Sequence, residues 1–214
     1  MGAMLVVLCA TPTSAHRVDE YLQATTIELW NDHLRLELQL TPGIAVATRV
    51  LDSIDVNHDG TISPEEELAY AALVQRDQSL TWNGEPLALT LLSSAFPSVA
   101  ELRQGQAAIQ LAFRADVSHR NGQQRLVAAN THRRAISAYL ANALVPADTR
   151  LRITAQLRDY EQSVYELVYE QQSARAFTML AGIVLLIFSV AGPAWYVATK
   201  VRRAEPFQSA LLRD

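Results

Sequence analysis

From Ala176 to Thr199 the chain runs for 24 residues without a charge. At 1.5 Å per residue, a helix of that length crosses a hydrocarbon core of about 30 Å with room for tilt. Arg175 stands before the run; Lys200, Arg202 and Arg203 stand after it, and Trp195 and Tyr196 sit where an aromatic belt would lie. A soluble core helix would carry a polar face, and this run has none. Gly192-Pro193 is expected to kink the last turns, which a membrane helix tolerates. One C-terminal transmembrane helix is therefore expected over 174–200, with its basic tail, 201–214, in the cytoplasm.

The rest of the chain is not membrane-like. Mean hydropathy over all 214 residues is near zero, which excludes a polytopic membrane protein. The N-terminus carries a short apolar stretch ending in small residues, with Thr13 and Ala15 at the −3 and −1 places before His16. That pattern reads as a secretory signal peptide over 1–15, although its basic start is missing. The lone Cys9 falls within it, so the exported part has no thiol, no internal disulfide and no cysteine-based zinc site. Residues 16–173 hold thirteen arginines against twenty carboxylates, a net −7. An acidic domain suits cations and is a poor match for phosphates, so no nucleic-acid partner is expected. The chain reads as a single-pass cell-membrane protein whose N-terminal domain is exported, periplasmic in a bacterium.

Within that domain, Leu34, Leu36, Leu38 and Leu40 alternate with polar residues, the mark of a half-buried strand. Thr25–Trp30 precedes it across a polar turn. Ser79–Trp82 and Leu87–Leu92 flank Asn83-Gly84, which suits a tight hairpin. Further strands are expected around Ile109–Phe113, Arg125–Ala129, Ala138–Leu144, Leu151–Ile153 and Val164–Tyr169. Between Pro42 and Gln78 the period changes to helical. Ile44, Ala47, Val50, Leu51 and Ile54 share one face; Leu68, Ala72 and Leu73 share another behind Pro64 and three glutamates in a helix's first turn.

Between those helices lies Asp55-Val56-Asn57-His58-Asp59-Gly60-Thr61-Ile62-Ser63-Pro64-Glu65-Glu66. A hard dication wants six or seven oxygens, and this spacing supplies them in the pattern of an EF-hand calcium loop. Asp55, Asn57 and Asp59 offer side-chain oxygens at positions 1, 3 and 5, and Thr61 a backbone carbonyl at position 7. Ser63 ligates directly or through water at position 9, and Glu66 with both carboxylate oxygens at position 12. Gly60 permits a sharp turn that a side chain would obstruct, and Ile62 plugs the loop from below. Calcium is the expected cofactor, bound as a structural staple in the micromolar to millimolar range typical of exported modules. The expected fold is mainly β: an antiparallel immunoglobulin-like sandwich over 16–173, an EF-hand helix-loop-helix insert at 43–78, and the C-terminal transmembrane helix.

Other chemistry is sparse. No nucleophile elbow, zincin helix, P-loop or dinucleotide fingerprint is present, and no enzyme activity is expected. His33, His58 and His119 read as turn or solvated residues. His132 reads as part of a loop crossing the sheet edge, with a small anion or partner site as the other reading. His16 differs: cleavage after Ala15 would place its imidazole beside a free α-amino group, a pair able to chelate Ni²⁺ or Cu²⁺. A periplasmic transition-metal capture protein is thus the alternative function.

The segment Ala15-His16-Arg17-Val18-Asp19-Glu20-Tyr21-Leu22-Gln23-Ala24, the calcium-type loop and the turn Trp82-Asn83-Gly84-Glu85-Pro86 together resemble exported domains fused ahead of NicO-type nickel/cobalt permeases and HupE/UreJ-type proteins. The resemblance covers about residues 15–169. It implies an accessory role beside a separately encoded metal permease. The permeases' many intramembrane helices and their His and Asp residues have no counterpart in the single apolar run, so transport residues do not carry over.

Overall fold

The computed structural model describes residues 19–118 and 121–172. The signal segment with His16, the apolar run, the tail and His119 lie outside the described residues. Among those described, no helix is long and apolar enough to cross a membrane.

The domain is mainly β. Among the described residues ten strands are formed: β1 Tyr21–Leu29, β2 His33–Pro42, β3 Gln78–Trp82, β4 Glu85–Pro86, β5 Thr90–Ala95, β6 Ile109–Asp116, β7 Gly122–Asn130, β8 Ser137–Ala143, β9 Leu151–Arg158 and β10 Val164–Gln171. Three helices interrupt them: α1 Ile44–Leu51, α2 Pro64–Arg76 and α3 Val99–Arg103. One sheet has the order β5-β6-β2-β1-β8, the other β4-β3-β7-β10-β9. Pairing is antiparallel except for β1 with β8, which run parallel. Alternation explains the packing. Leu34, Leu36, Leu38 and Leu40 point inward from β2, and Leu126 and Leu167 inward from the other sheet, into one apolar core shared with α1 and α2. Ile27 and Leu29 do the same from β1, but Gln23 and Thr25 also face inward.

The hairpin at Asn83-Gly84 forms with Asn83 and Gly84 both at positive φ. Its second strand is shorter than the Leu87–Leu92 reading. Pairing with β3 ends at Pro86, and one further bond runs from Leu87 N–H to Leu80 O. The chain then crosses to the other sheet, where Thr90–Ala95 pairs with β6 around a bulge at Leu91/Ser93. The short helix α3 was not expected. It is started by a capping box in which Ser98 and Glu101 bond reciprocally.

The strands divide the loops between two ends. Asn31–Asp32, the connection after Asp116, residues 144–150 and the chain's exit at Gln171 share one end: Gln171 pairs with Gly122 and Leu151, and His33 with Asp116. At the other end are α1, α2, α3, residues 131–136 and the turn 159–163. A nine-residue strand such as β1 separates the ends by about 27–30 Å at ~3.3 Å per residue.

Candidate functional site

The loop between α1 and α2 is set by its two flanks. Residues Val46, Ala47, Val50 and Leu51 of α1 are buried, and Ile54 just beyond them is fully buried. The regular helix ends at Leu51, earlier than Ile54; Asp52 N–H still reaches Thr48 O, and a turn follows in which the N–H groups of Ile54 and Asp55 both bond Leu51 O. At the far side Ser63 is the N-cap of α2 and Pro64 its first residue. Ser63 Oγ accepts from Glu66 N–H at 3.3 Å, and Glu66 Oε2 accepts from Ser63 N–H at 3.0 Å and Ser63 Oγ–H at 2.9 Å. Ile62 is half-buried against the core, as a plug should be.

The candidate oxygens gather by bonding the loop's own amides. Asp55 accepts from Asp59 N–H at 3.1 Å and from Gly60 N–H at 3.0 Å, one on each carboxylate oxygen. Asn57 Oδ1 accepts from Asp59 N–H at 3.0 Å, and its amide nitrogen donates to Asp59 Oδ2 at 2.9 Å. Asp59 Oδ1 accepts from Thr61 N–H at 2.8 Å and Thr61 Oγ1–H at 2.6 Å. Glu66 Oε1 reaches back across the loop to Val56 N–H at 2.8 Å. The Thr61 hydroxyl and amide hold the Asp59 carboxyl below its ordinary value, and the Ser63 donors do the same for Glu66. Gly60 has φ +83°, but a Cβ there would meet nothing within 4 Å. Glycine is needed for the left-handed conformation and not, as expected, to avoid obstruction. His58 also has positive φ and is exposed.

The donor types present are those a hard cation takes. Every candidate donor is oxygen, and the set mixes carboxylates with an amide, a hydroxyl and a carbonyl. Among the described residues no three His, Cys, Asp or Glu side chains are grouped so as to hold a metal. In the loop the carboxylates are turned to backbone donors. A carboxylate oxygen that accepts one N–H keeps a second lone pair for a cation. When bound, calcium would supply the positive charge that draws Asp55, Asn57, Asp59, the Thr61 carbonyl, Ser63 and Glu66 together.

A second polar cluster lies at the other end of α2, and the sequence reading missed it. His132 is fully buried. Its Nδ1 lies 2.8 Å from Asp77 Oδ2, its Nε2 3.0 Å from the Tyr70 hydroxyl, and that hydroxyl 2.8 Å from the Tyr21 hydroxyl. A carboxylate can only accept, so Nδ1 carries the proton, Tyr70 donates to Nε2 and Tyr21 donates to Tyr70. Burial pushes the His132 imidazolium down, with Asp77 pulling against it, and burial raises both tyrosines. The His132 carbonyl accepts from Gln23 and Tyr139, and its amide donates to Asn130. The relay ends on the fully buried Tyr21, so it positions elements and presents no nucleophile to solvent. His132 does lie in the loop that crosses from β7 to the edge strand β8, as expected, but its side chain is buried and is not an exposed anion site; it ties α2 to both sheets. His33 opens β2, its ring stacked on Trp30 at 5.5 Å between centroids.

No protein-family model matches the chain, and no curated protein or solved structure is significantly similar to it.

Proposed function

We propose that this chain is an exported, single-pass, membrane-anchored calcium-binding protein, with the Asp55–Glu66 loop as its site. The observation that supports the reading best is the loop's closure from both flanks. Asp55 gathers the amides of Asp59 and Gly60, while Glu66 spans from Ser63 back to Val56. This puts positions 1 and 12 of the motif on the same small ring of backbone. The metal would join α1 to α2, which both pack on the core, so its role is that of a staple. The two sheets around one core are consistent with an immunoglobulin-like sandwich, and the helical pair with an EF-hand insert. The apolar run at 176–199 supports the anchor, and the resemblance over 15–169 supports an accessory role beside a metal-ion permease.

The test is calorimetric titration of the full chain in nanodiscs with calcium, alongside thermal melts in calcium and in chelator, for the native chain and Glu66→Gln. Moderate binding is expected, lost in the variant. Calcium at 100 times its Kd should stabilise the native domain by about 2.7 kcal/mol. Absence of both heat and melting shift at millimolar calcium would end this reading.

A further inference from the structure

The end of the domain from which the chain leaves carries an apolar rim. Val145 is 90 % exposed, Trp30 49 % and Leu144 49 %, and with Pro146 they border one open recess. Residues 144–147 read Leu-Val-Pro-Ala, four positions without a charge. The rim is built rather than frayed. Leu144 N–H bonds Ile27 O at 2.9 Å, the Asn31 side chain bonds Asp148, and the Trp30 indole is stacked on His33 with 7° between the planes. Two carboxylates border the recess: Asp148 is neutralised by Arg150 at 2.6 Å, and Glu28 accepts from the Trp30 indole N–H at 3.4 Å.

Exposure alone does not select this surface, because Tyr160 in the turn at the opposite end is fully exposed too. The path of the chain does. Strand β10 ends at Gln171 on the rim's side of the domain, paired with Leu151 and Gly122, and the uncharged run begins at Ala176. Four residues between them span at most about 18 Å from Gln171 to Ala176 even when extended. A bilayer that takes up the run is therefore within reach of this end and not of the other. Tryptophan, with an apolar body and one N–H, favours the lipid interface, and Leu, Val and Pro add apolar area there.

We propose that the Trp30–Leu144–Val145–Pro146 rim rests in the lipid interface of the membrane that anchors the chain. The domain then stands on its apolar end and holds the Asp55–Glu66 loop about one strand length away, in the aqueous space. The inference rests on the anchored reading above. A flat apolar rim of this kind would recognise zwitterionic lipid through its acyl-headgroup boundary without basic residues.

The test places a nitroxide on the full chain in phosphatidylcholine nanodiscs. Cys9→Ser removes the native thiol, and Val145→Cys or Tyr160→Cys supplies one label site, each on an exposed side chain so that folding is spared. Collision with oxygen, which concentrates in lipid, is compared with collision with a neutral nickel chelate, which stays in water. The expected result is several-fold more oxygen and several-fold less chelate contact at 145 than at 160. Equal, water-like contact at both positions in a chain that co-floats with lipid would overturn the rim's role alone. Loss of chelate contact at 145 without an oxygen gain would mean a protein cover, and would also overturn it. A chain that fails to co-float would overturn the anchor, and the rim proposal with it.

Discussion

The two ends of α2 hold two polar constellations built on opposite principles. At its N-terminal end the Asp55–Glu66 loop is charged and largely exposed, although Asp55 itself is buried, and its hydrogen bonds join residues two to ten positions apart. At its C-terminal end the His132 cluster is buried and its partners come from 49 to 114 positions away. A local, solvated site can change its occupant and relax. A buried one with every group matched tolerates little, since each lost partner leaves an orphan in low dielectric. One helix thus joins a part suited to binding with a part suited to holding.

The sharpest way to break that contrast is His132→Ala. It removes the ring that joins Tyr70 and Asp77 and leaves both without that partner, while the Tyr70–Tyr21 bond to β1 remains. Deletion of a buried, hydrogen-bonded ring should cost about 3–5 kcal/mol of stability in chemical denaturation. Calcium affinity, measured where the variant is still folded, should stay close to native. A cost no greater than that of a loop substitution would show that the cluster does not hold the fold.

The same contrast explains what the sequence made visible. The calcium-type loop was legible because its chemistry is written in one stretch of twelve residues. Strand β2 was legible because four leucines alternate without interruption. Strand β1 was read only from Thr25, since Gln23 and Thr25 face inward where apolar residues are expected; Gln23 is there to hold His132 and Asn130. His132 is a loop residue, as its polar neighbours Thr131, Arg133 and Arg134 suggest, but its burial is not legible from them. Nothing local announces that Tyr70, Asp77 and Tyr21 will close around it. The crossing after Pro86 was hidden for a related reason: Leu87–Leu92 is apolar enough for either sheet, and only the lack of an N–H on Pro86 hints that the ladder stops. The α3 signal was present, in Ser98-Val99-Ala100-Glu101, and its reciprocal cap could have been found.

A smaller effect, confined to the loop, is expected for Gly60→Ala. The site has open space for a methyl group, so the cost arises from φ +83° alone. That conformation should cost about 1–2 kcal/mol for an L-residue. Because the loop must hold this turn to gather its oxygens, calcium affinity should fall as well, by roughly tenfold for each 1.4 kcal/mol carried into binding. A variant with native affinity and native stability would mean that the loop has another way to close.

pH separates the two ends without any substitution. The folded His132 has a lowered pKa, so it stays neutral while an unfolded histidine gains a proton below about 6.5. Unfolding then takes up a proton, and stability is present above that pH and lost as pH falls beneath it. The slope is at most about 1.4 kcal/mol per pH unit and ends at the folded pKa. Asp59 and Glu66 are lowered as carboxylates, so their contribution is full above the ordinary carboxylate range of about 4 and is lost as pH drops through it. Denaturation between pH 7 and 5 should therefore report the buried cluster, and below pH 4 the loop together with the other lowered carboxylates, Asp32, Glu101, Asp148, Asp159 and Glu166. His132→Gln should flatten the first interval and leave the second; a slope that persists from pH 7 to 5 in this variant would assign it elsewhere.

The smallest effect discriminates most finely, because the described residues contain the same cap twice. Ser63 with Glu66 starts α2, and Ser98 with Glu101 starts α3, with matching bond lengths of 2.9 and 2.7 Å from hydroxyl to carboxylate. Replacing either serine by alanine should cost about 1 kcal/mol through the lost cap. Only Ser63 stands at position 9 of the calcium-type loop and holds Glu66 beside the other candidate ligands. Ser63→Ala should therefore lower calcium affinity as well as stability, whereas Ser98→Ala should lower stability alone. Equal calcium affinities in the two variants would reduce Ser63 to a helix start and remove position 9 from the proposed site.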